Sequence, residues 1–167
     1  DADAPRYRLV QIDPNNPGKE NWKEIVPQTD MMLQGVSTCG GKLFLSYLDR
    51  ANTRIFVCNF DGSDKKEIAM PDKTGSAGGF SGKRDEKTCF YSFTSFTYPT
   101  SIYKYDIESG KSEEYYTISV KFEPSAYESK QIMYKSKDGT EVPMFIVHKK
   151  GLKLDGNNPT LLYSYGG

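Results

Sequence analysis

The chain has 167 residues, long enough to bury one core of its own or to share parts of two. Its 22 Lys and Arg balance 22 Asp and Glu, so it lacks the electrostatic footprint of a protein that binds nucleic acid or an anionic membrane. With 12 Tyr, 9 Phe, 15 Gly and 9 Pro, the composition favours strands and tight turns over helices.

The first predicted strand covers 7–13 and ends at Asp13; a polar loop and a shorter strand over 22–27 follow. Strands over 35–37 and 42–48 come next. A strand over 55–61 ends at Asp61, turns through Gly62, Ser63 and Asp64, and returns over 66–71. The same order then recurs: 79–81, 88–96, 102–108 ending at Glu108, a turn at Ser109-Gly110, and 113–117. Asp13, Asp61 and Glu108 are 48 and 47 residues apart, and Phe44 and Phe90 are 46 apart.

Four strands recurring at this spacing are the signature of a β-propeller blade. One blade cannot cover both of its faces, so neighbours stack on it and its strands become apolar on both sides, as over 55–58. A β-sandwich with chance spacing is the competing reading. The propeller reading gives the second half of one blade, then two full blades over 28–71 and 72–117. Two and a half blades cannot close a ring and would leave sheet edges and apolar faces open. The chain is therefore expected to be an internal piece of a longer protein.

The rhythm stops near Thr117. A connector over 118–127 precedes a hairpin with strands over 131–136 and 142–149, joined by an Asp138-Gly139 turn. Pro143 predicts an edge position or a bulge in the second strand. After a loop over 150–159, the apolar and aromatic stretch 160–165 predicts a strand buried on both faces, running into Gly166-Gly167. A hairpin, a buried strand and a glycine pair are how an α/β-hydrolase sheet begins. The predicted fold is mainly β, with a partial β-propeller over 1–117. The connector and the N-terminal strands of an α/β-hydrolase domain are expected over 118–167.

The run from Ser136 to Gly151, S-K-D-G-T-E-V-P-M-F-I-V-H-K-K-G, with Leu154-Asp155-Gly156 and the closing L-Y-S-Y-G-G over 162–167, resembles the prolyl oligopeptidase family of serine peptidases. The aromatic stretch 90–96 resembles the last blade of that family's propeller. The likeness extends over essentially the whole chain and is most specific over 130–167. It implies the C-terminal blades of a seven-bladed propeller above a hydrolase domain that cleaves short peptides after proline through a Ser/Asp/His acyl-enzyme. Tyr165 matches the tyrosine of the family's Y-G-G motif, whose hydroxyl helps form the oxyanion hole. A phenol O–H held in a dry site can donate to a tetrahedral oxyanion. Without the resemblance, Tyr165 reads as a core aromatic.

No G-x-S-x-G nucleophile elbow occurs, and the expected order Ser, Asp, His would fall after the third strand of the hydrolase sheet. The triad is therefore expected outside this chain, and the chain alone is expected to be inactive. His148, the only histidine, lies in an early strand and reads as structural rather than as a base; Asp138 belongs to a turn and Asp155 to a loop. Cys39, Cys58 and Cys89 show no C-x-x-C spacing and read as reduced, semi-buried thiols of a cytosolic protein. Residues 75–79 mimic a phosphate-binding loop but lack its Lys-[Ser/Thr].

No N-glycosylation sequon is usable, and no apolar run approaches the roughly 20 residues of a membrane span. The first residues do not suggest a signal peptide. Short proline-containing peptides are the implied substrates. No cofactor, metal, nucleic acid or membrane partner is expected, and a monomer is. Two alternatives stay open: a propeller-type binding module with no catalytic partner, and a related peptidase of the oligopeptidase B or dipeptidyl peptidase type.

Overall fold

The computed structural model describes residues 3–164, and those residues form a succession of antiparallel sheets. A small sheet pairs β1 (Leu9–Gln11) with β2 (Lys23–Val26). A four-stranded sheet follows in simple order: β3 (Met32–Cys39), β4 (Lys42–Asp49), β5 (Asn52–Cys58) and β6 (Lys66–Glu67). A second repeats that order with β7 (Ser76–Gly79), β8 (Thr88–Ser95), β9 (Tyr98–Asp106) and β10 (Lys111–Thr117). Last comes a ribbon of β11 (Tyr127–Lys135) and β12 (Glu141–Lys149). The two four-stranded meanders fall within the spans 28–71 and 72–117 expected to be blades, and β1–β2 lies in the span expected to be a half blade.

The turns explain the registers. Gly40 and Gly41 both take positive φ, +56° and +72°, which is what a two-residue hairpin turn between twisted strands requires, so Cys39 pairs with Lys42. The next turn makes the same demand of Arg50 and Ala51, at φ +49° and +68°, so that Asp49 pairs with Asn52. Neither residue is glycine, and each carries the left-handed penalty of an L-residue. Outside contacts hold this turn: the Arg50 carbonyl accepts a hydrogen bond from Gln131 Nε2, and Asn52 Nδ2 donates to Gln131 Oε1 at 2.9 Å. Gly62, at φ +84°, closes the β5–β6 loop directly beneath β2: a Cβ there would overlap the Ile25 carbonyl oxygen.

Packing follows the stacking argument. On β4, Leu43, Leu45 and Tyr47 are buried with Val26, Leu33 and Cys58, forming the seam with the β1–β2 sheet. Phe44 points the other way. Together with Ile55 and Ile68 it meets Phe80, Cys89, Tyr91, Phe93, Tyr103 and Tyr105 of the next sheet. One strand thus feeds two cores, because alternate side chains leave opposite faces. The seam between the two four-stranded sheets is an aromatic stack. Phe44 and Phe80 have centroids 5.2 Å apart, Phe80 and Tyr91 4.4 Å, and Tyr91 and Tyr103 5.2 Å.

Several boundaries differ from expectation. β3 extends over eight residues rather than three, carried through a bulge between Leu33 and Gly35. β6 is only two residues long, although Ile68 N–H still donates to the Ile55 carbonyl at 2.8 Å; it lies at the edge of its sheet, and no strand among the described residues pairs it from beyond. β7 is shifted to end at Gly79, because Phe80 leaves the strand at φ +57°. β11 starts at Tyr127, inside the expected connector, since its register with β12 runs unbroken to Tyr127 opposite Lys149. Pro143 lies opposite Met133 within that register, without a bulge, and β12 is an edge strand among the described residues.

The larger correction concerns 160–164. These residues form no strand and are not buried: Leu161, Leu162 and Tyr163 are 90%, 81% and 80% exposed. A strand buried on both faces needs strands beside it and layers over it, and among the described residues none flanks this segment. Also among the described residues, no helix is long and apolar enough to cross a membrane.

Candidate functional site

Tyr165, the candidate oxyanion donor, lies outside the described residues, as do Gly166 and Gly167. What the structure describes is the platform leading to them: the β11–β12 ribbon, the 150–164 segment and the blades on which the ribbon rests.

Among the described residues, contacts of two kinds fix the ribbon to the blades. One is the amide clamp of Gln131 on Asn52 and the Arg50 carbonyl. Asn52 also accepts from Gly75 N–H through Oδ1 at 3.1 Å, so one side chain ties together both four-stranded sheets and the ribbon. The other contact is apolar: Phe96 at the β8–β9 turn meets Phe145 on β12, with centroids 5.2 Å apart. Sequence reasoning passed over all of these residues. A paired Asn and Gln separated by 79 positions leaves no periodic trace in one sequence.

Beside the clamp lies a cleft of about 720 Å³ lined by Asp49, Arg54, Glu67, Asp72, Lys73 and Gln131, among others. Arg54 dominates its chemistry. Its guanidinium forks onto Glu67, with Nε to Oε1 at 2.8 Å and Nη2 to Oε2 at 2.6 Å, and also reaches Asp49 Oδ2 at 3.2 Å. These hydrogen bonds hold the Glu67 carboxyl below its usual range and push Arg54 up. Two carboxylates already occupy the cation, so it braces the β5–β6 edge rather than waiting for an anionic ligand. The cleft contains no nucleophile paired with a base.

The edge strands β3 and β7 border a smaller cavity of about 190 Å³ lined by small residues such as Gly35, Ser37 and Gly78. Ser37 Oγ donates across it to the Phe80 carbonyl at 3.0 Å. A Cβ added at Gly35 or Gly78 would meet nothing within 4 Å, so these positions keep the surface open rather than relieving a clash.

The remaining candidates take the structural roles expected of them. The His148 side chain is 7% exposed; its Nδ1 lies 2.9 Å from the Lys149 carbonyl and 3.6 Å from Glu128 Oε1. Its Nε2 is buried without a partner among the described residues, so the imidazole bonds no nucleophile there. Asp138 caps its own turn by accepting from Thr140 N–H at 3.0 Å, which lowers its carboxyl. Asp155 likewise accepts from Asn157 N–H at 3.1 Å. Gly75 spends its N–H on Asn52, and Gly78 and Gly79 are paired in β7, so 75–79 presents no free cradle for phosphate. Cys39, Cys58 and Cys89 are free and buried. Burial pushes all three thiols up, Cys89 to about 12, the opposite of what a nucleophile requires.

Known proteins show the same architecture. The profile described as "Prolyl oligopeptidase, N-terminal beta-propeller domain" matches residues 1–117. A prolyl endopeptidase of Elizabethkingia miricola is 45% identical over 167 residues, covering 100% of this chain and 23% of its own length. A solved prolyl endopeptidase, studied for the role of inter-domain dynamics in catalysis and specificity, superposes with a TM-score of 0.88 at 44% identity. That alignment covers 99% of this chain and 24% of the other. Prolyl oligopeptidase B of Galerina marginata, solved with a 25mer macrocyclization substrate, superposes with a TM-score of 0.78 at 28% identity, covering 92% of this chain and 22% of its own. The chain therefore spans less than a quarter of the length of these relatives.

Proposed function

The chain belongs to the prolyl oligopeptidase family, and from that premise we propose that it is part of a serine endopeptidase that hydrolyses short peptides on the carboxyl side of proline. The observation that carries this reading is the likeness over the full 167 residues, at 45% identity, to a prolyl endopeptidase. Residues 1–117 are then the last half blade and two blades of the propeller. Residues 118–167 are the connector and the first strands of the α/β-hydrolase domain, and the Ser/Asp/His triad lies elsewhere in the longer protein.

Tyr165 supplies an oxyanion-hole donor in this account. The S-K-D-G and Y-S-Y-G-G motifs and the exposed approach over 160–164 support that assignment. The exposed Leu161, Leu162 and Tyr163 gain their partners from the remainder of the catalytic sheet. Acyl transfer by this triad requires no metal or organic cofactor. The reduced thiols and balanced charge suit a monomeric cytosolic enzyme that engages neither nucleic acid nor membrane.

A substrate panel tests the reading. The full-length enzyme is expected to release a fluorophore from an octapeptide-sized or shorter substrate with proline at the cleavage site, and to be at least 100-fold slower when arginine or alanine replaces that proline, the scale on which a shaped pocket discriminates. Preference for arginine would move the assignment to the oligopeptidase B type. Absence of hydrolysis across the panel would favour a binding propeller.

A further inference from the structure

Two of the three cysteines lie in the buried cluster at the seam between the four-stranded sheets. Cys39 ends β3, and Cys89 is the second residue of β8. They are 0% and 2% exposed, and both are free thiols. Both belong to one buried core cluster. Cys39 Sγ also lies 3.7 Å from the carbonyl oxygen of Thr88, the residue preceding Cys89, and 3.7 Å from Glu86 Oε2. Cys58 is not part of this group; it belongs to the other core cluster.

The cover over the pair is thin. Residues 81–87 are exposed at every position. The Gly82 backbone lies directly over the sulfur: a Cβ there would stand 2.6 Å from Cys39 Sγ. The loop is held by Gly82 N–H to the Thr38 carbonyl at 2.9 Å, Gly40 N–H to the Lys83 carbonyl at 2.9 Å, and Lys83 N–H to Glu86 Oε2 at 2.8 Å. A loop exposed at every position and held by a few hydrogen bonds opens at a far smaller free-energy cost than a packed strand.

We propose that Cys39 and Cys89 form an inter-blade dithiol site that hydrogen peroxide converts to an intramolecular disulfide when the 81–87 loop opens. The chemistry takes two steps. The Cys39 sulfur attacks one peroxide oxygen; the O–O bond breaks, and the departing hydroxide takes up the thiol proton as water, leaving a sulfenic acid. The Cys89 sulfur then attacks the sulfenic sulfur, and the hydroxyl leaves with the Cys89 proton as a second water. Two electrons pass from the thiols to peroxide, and one S–S bond forms between adjacent blades. With the loop closed, burial keeps both sulfurs protonated and slow, so oxidation is gated by the loop. The cross-link would join residues 50 positions apart in sequence and prevent the two blades from separating. None of this depends on the peptidase reading.

The test needs no variant. The wild-type protein is treated with hydrogen peroxide, quenched, unfolded in the presence of an alkylating agent and mapped by mass spectrometry, with and without prior dithiothreitol. Cys39 and Cys89 are expected to escape alkylation while Cys58 is alkylated, a peptide linking Cys39 to Cys89 is expected, and dithiothreitol should restore the adducts at both. A linkage through Cys58, or a purely inter-chain disulfide, would overturn the proposal. So would full alkylation of Cys39, Cys58 and Cys89 in a sample whose half-buried methionines have already become sulfoxides.

Discussion

Replacing Phe80 with alanine is expected to destabilise the protein by about 3–5 kcal/mol, read as a fall in the urea midpoint. Phe80 is 2% exposed and sits where the two blades meet. Its ring stacks on Tyr91 at 4.4 Å and 10°, stacks on Phe44 of the neighbouring blade at 5.2 Å and 23°, and meets Tyr105 nearly edge-on. Removing the ring leaves a cavity that rigid aromatic neighbours cannot fill. The backbone cannot slide to close it either. Phe80 N–H donates to the Phe90 carbonyl at 2.9 Å, and its own carbonyl accepts from Ser37 across the seam.

Phe80 also holds a left-handed conformation, at φ +57°, which costs an L-residue about 1–2 kcal/mol and is tolerated because the ring is locked in place. Glycine at 80 loses the same ring without that penalty. Phe80→Gly is therefore expected to be about 1 kcal/mol less destabilising than Phe80→Ala, although glycine is the smaller and more flexible residue. Phe90 is the control. It lies on the opposite face of β8, is 45% exposed and touches Tyr115, so Phe90→Ala is expected to cost less than about 1 kcal/mol. Equal losses at 80 and 90 would mean that the stability does not reside in the seam.

Tyr165→Phe in the full-length enzyme is expected to lower kcat by about 100- to 1000-fold with little change in KM. The substitution keeps the ring and deletes only the hydroxyl. If that hydroxyl donates to the oxyanion, its contribution exists only once the tetrahedral centre forms, so ground-state binding is spared. A buried structural tyrosine would behave differently: the variant would lose stability and keep its turnover. Measuring kcat, KM and the melting temperature of the same preparation separates the two roles.

The blade architecture was legible in the sequence because stacking writes itself into it twice. The period of about 45 residues indicated the number of sheets, and the run 55–58 marked a strand with two covered faces, as its split between the two core clusters shows. Turn chemistry was legible where glycine marked it, as at Gly40-Gly41, and hidden where Arg50 and Ala51 take the same geometry under restraint from Gln131. The brace of Arg54 on Glu67 was equally hidden, since charged residues in alternation look like ordinary solvated surface until a register pairs Phe56 with Glu67. The stretch 160–164 misled for a different reason. Its composition is that of a buried strand, but burial depends on neighbours, and the described residues supply none. The proposed role of Tyr165 came only from the resemblance, because nothing else in the sequence marks that residue.

The proposed serine peptidase carries its nucleophile elsewhere in the protein and not in this chain. The most direct measurement is labelling with a fluorophosphonate probe, followed by peptide mapping. The account predicts one modified serine in the full-length enzyme, outside residues 1–167, and no label on the 167-residue chain alone. Specific labelling of any residue within 1–167, or no labelling of an otherwise folded full-length protein, would contradict it.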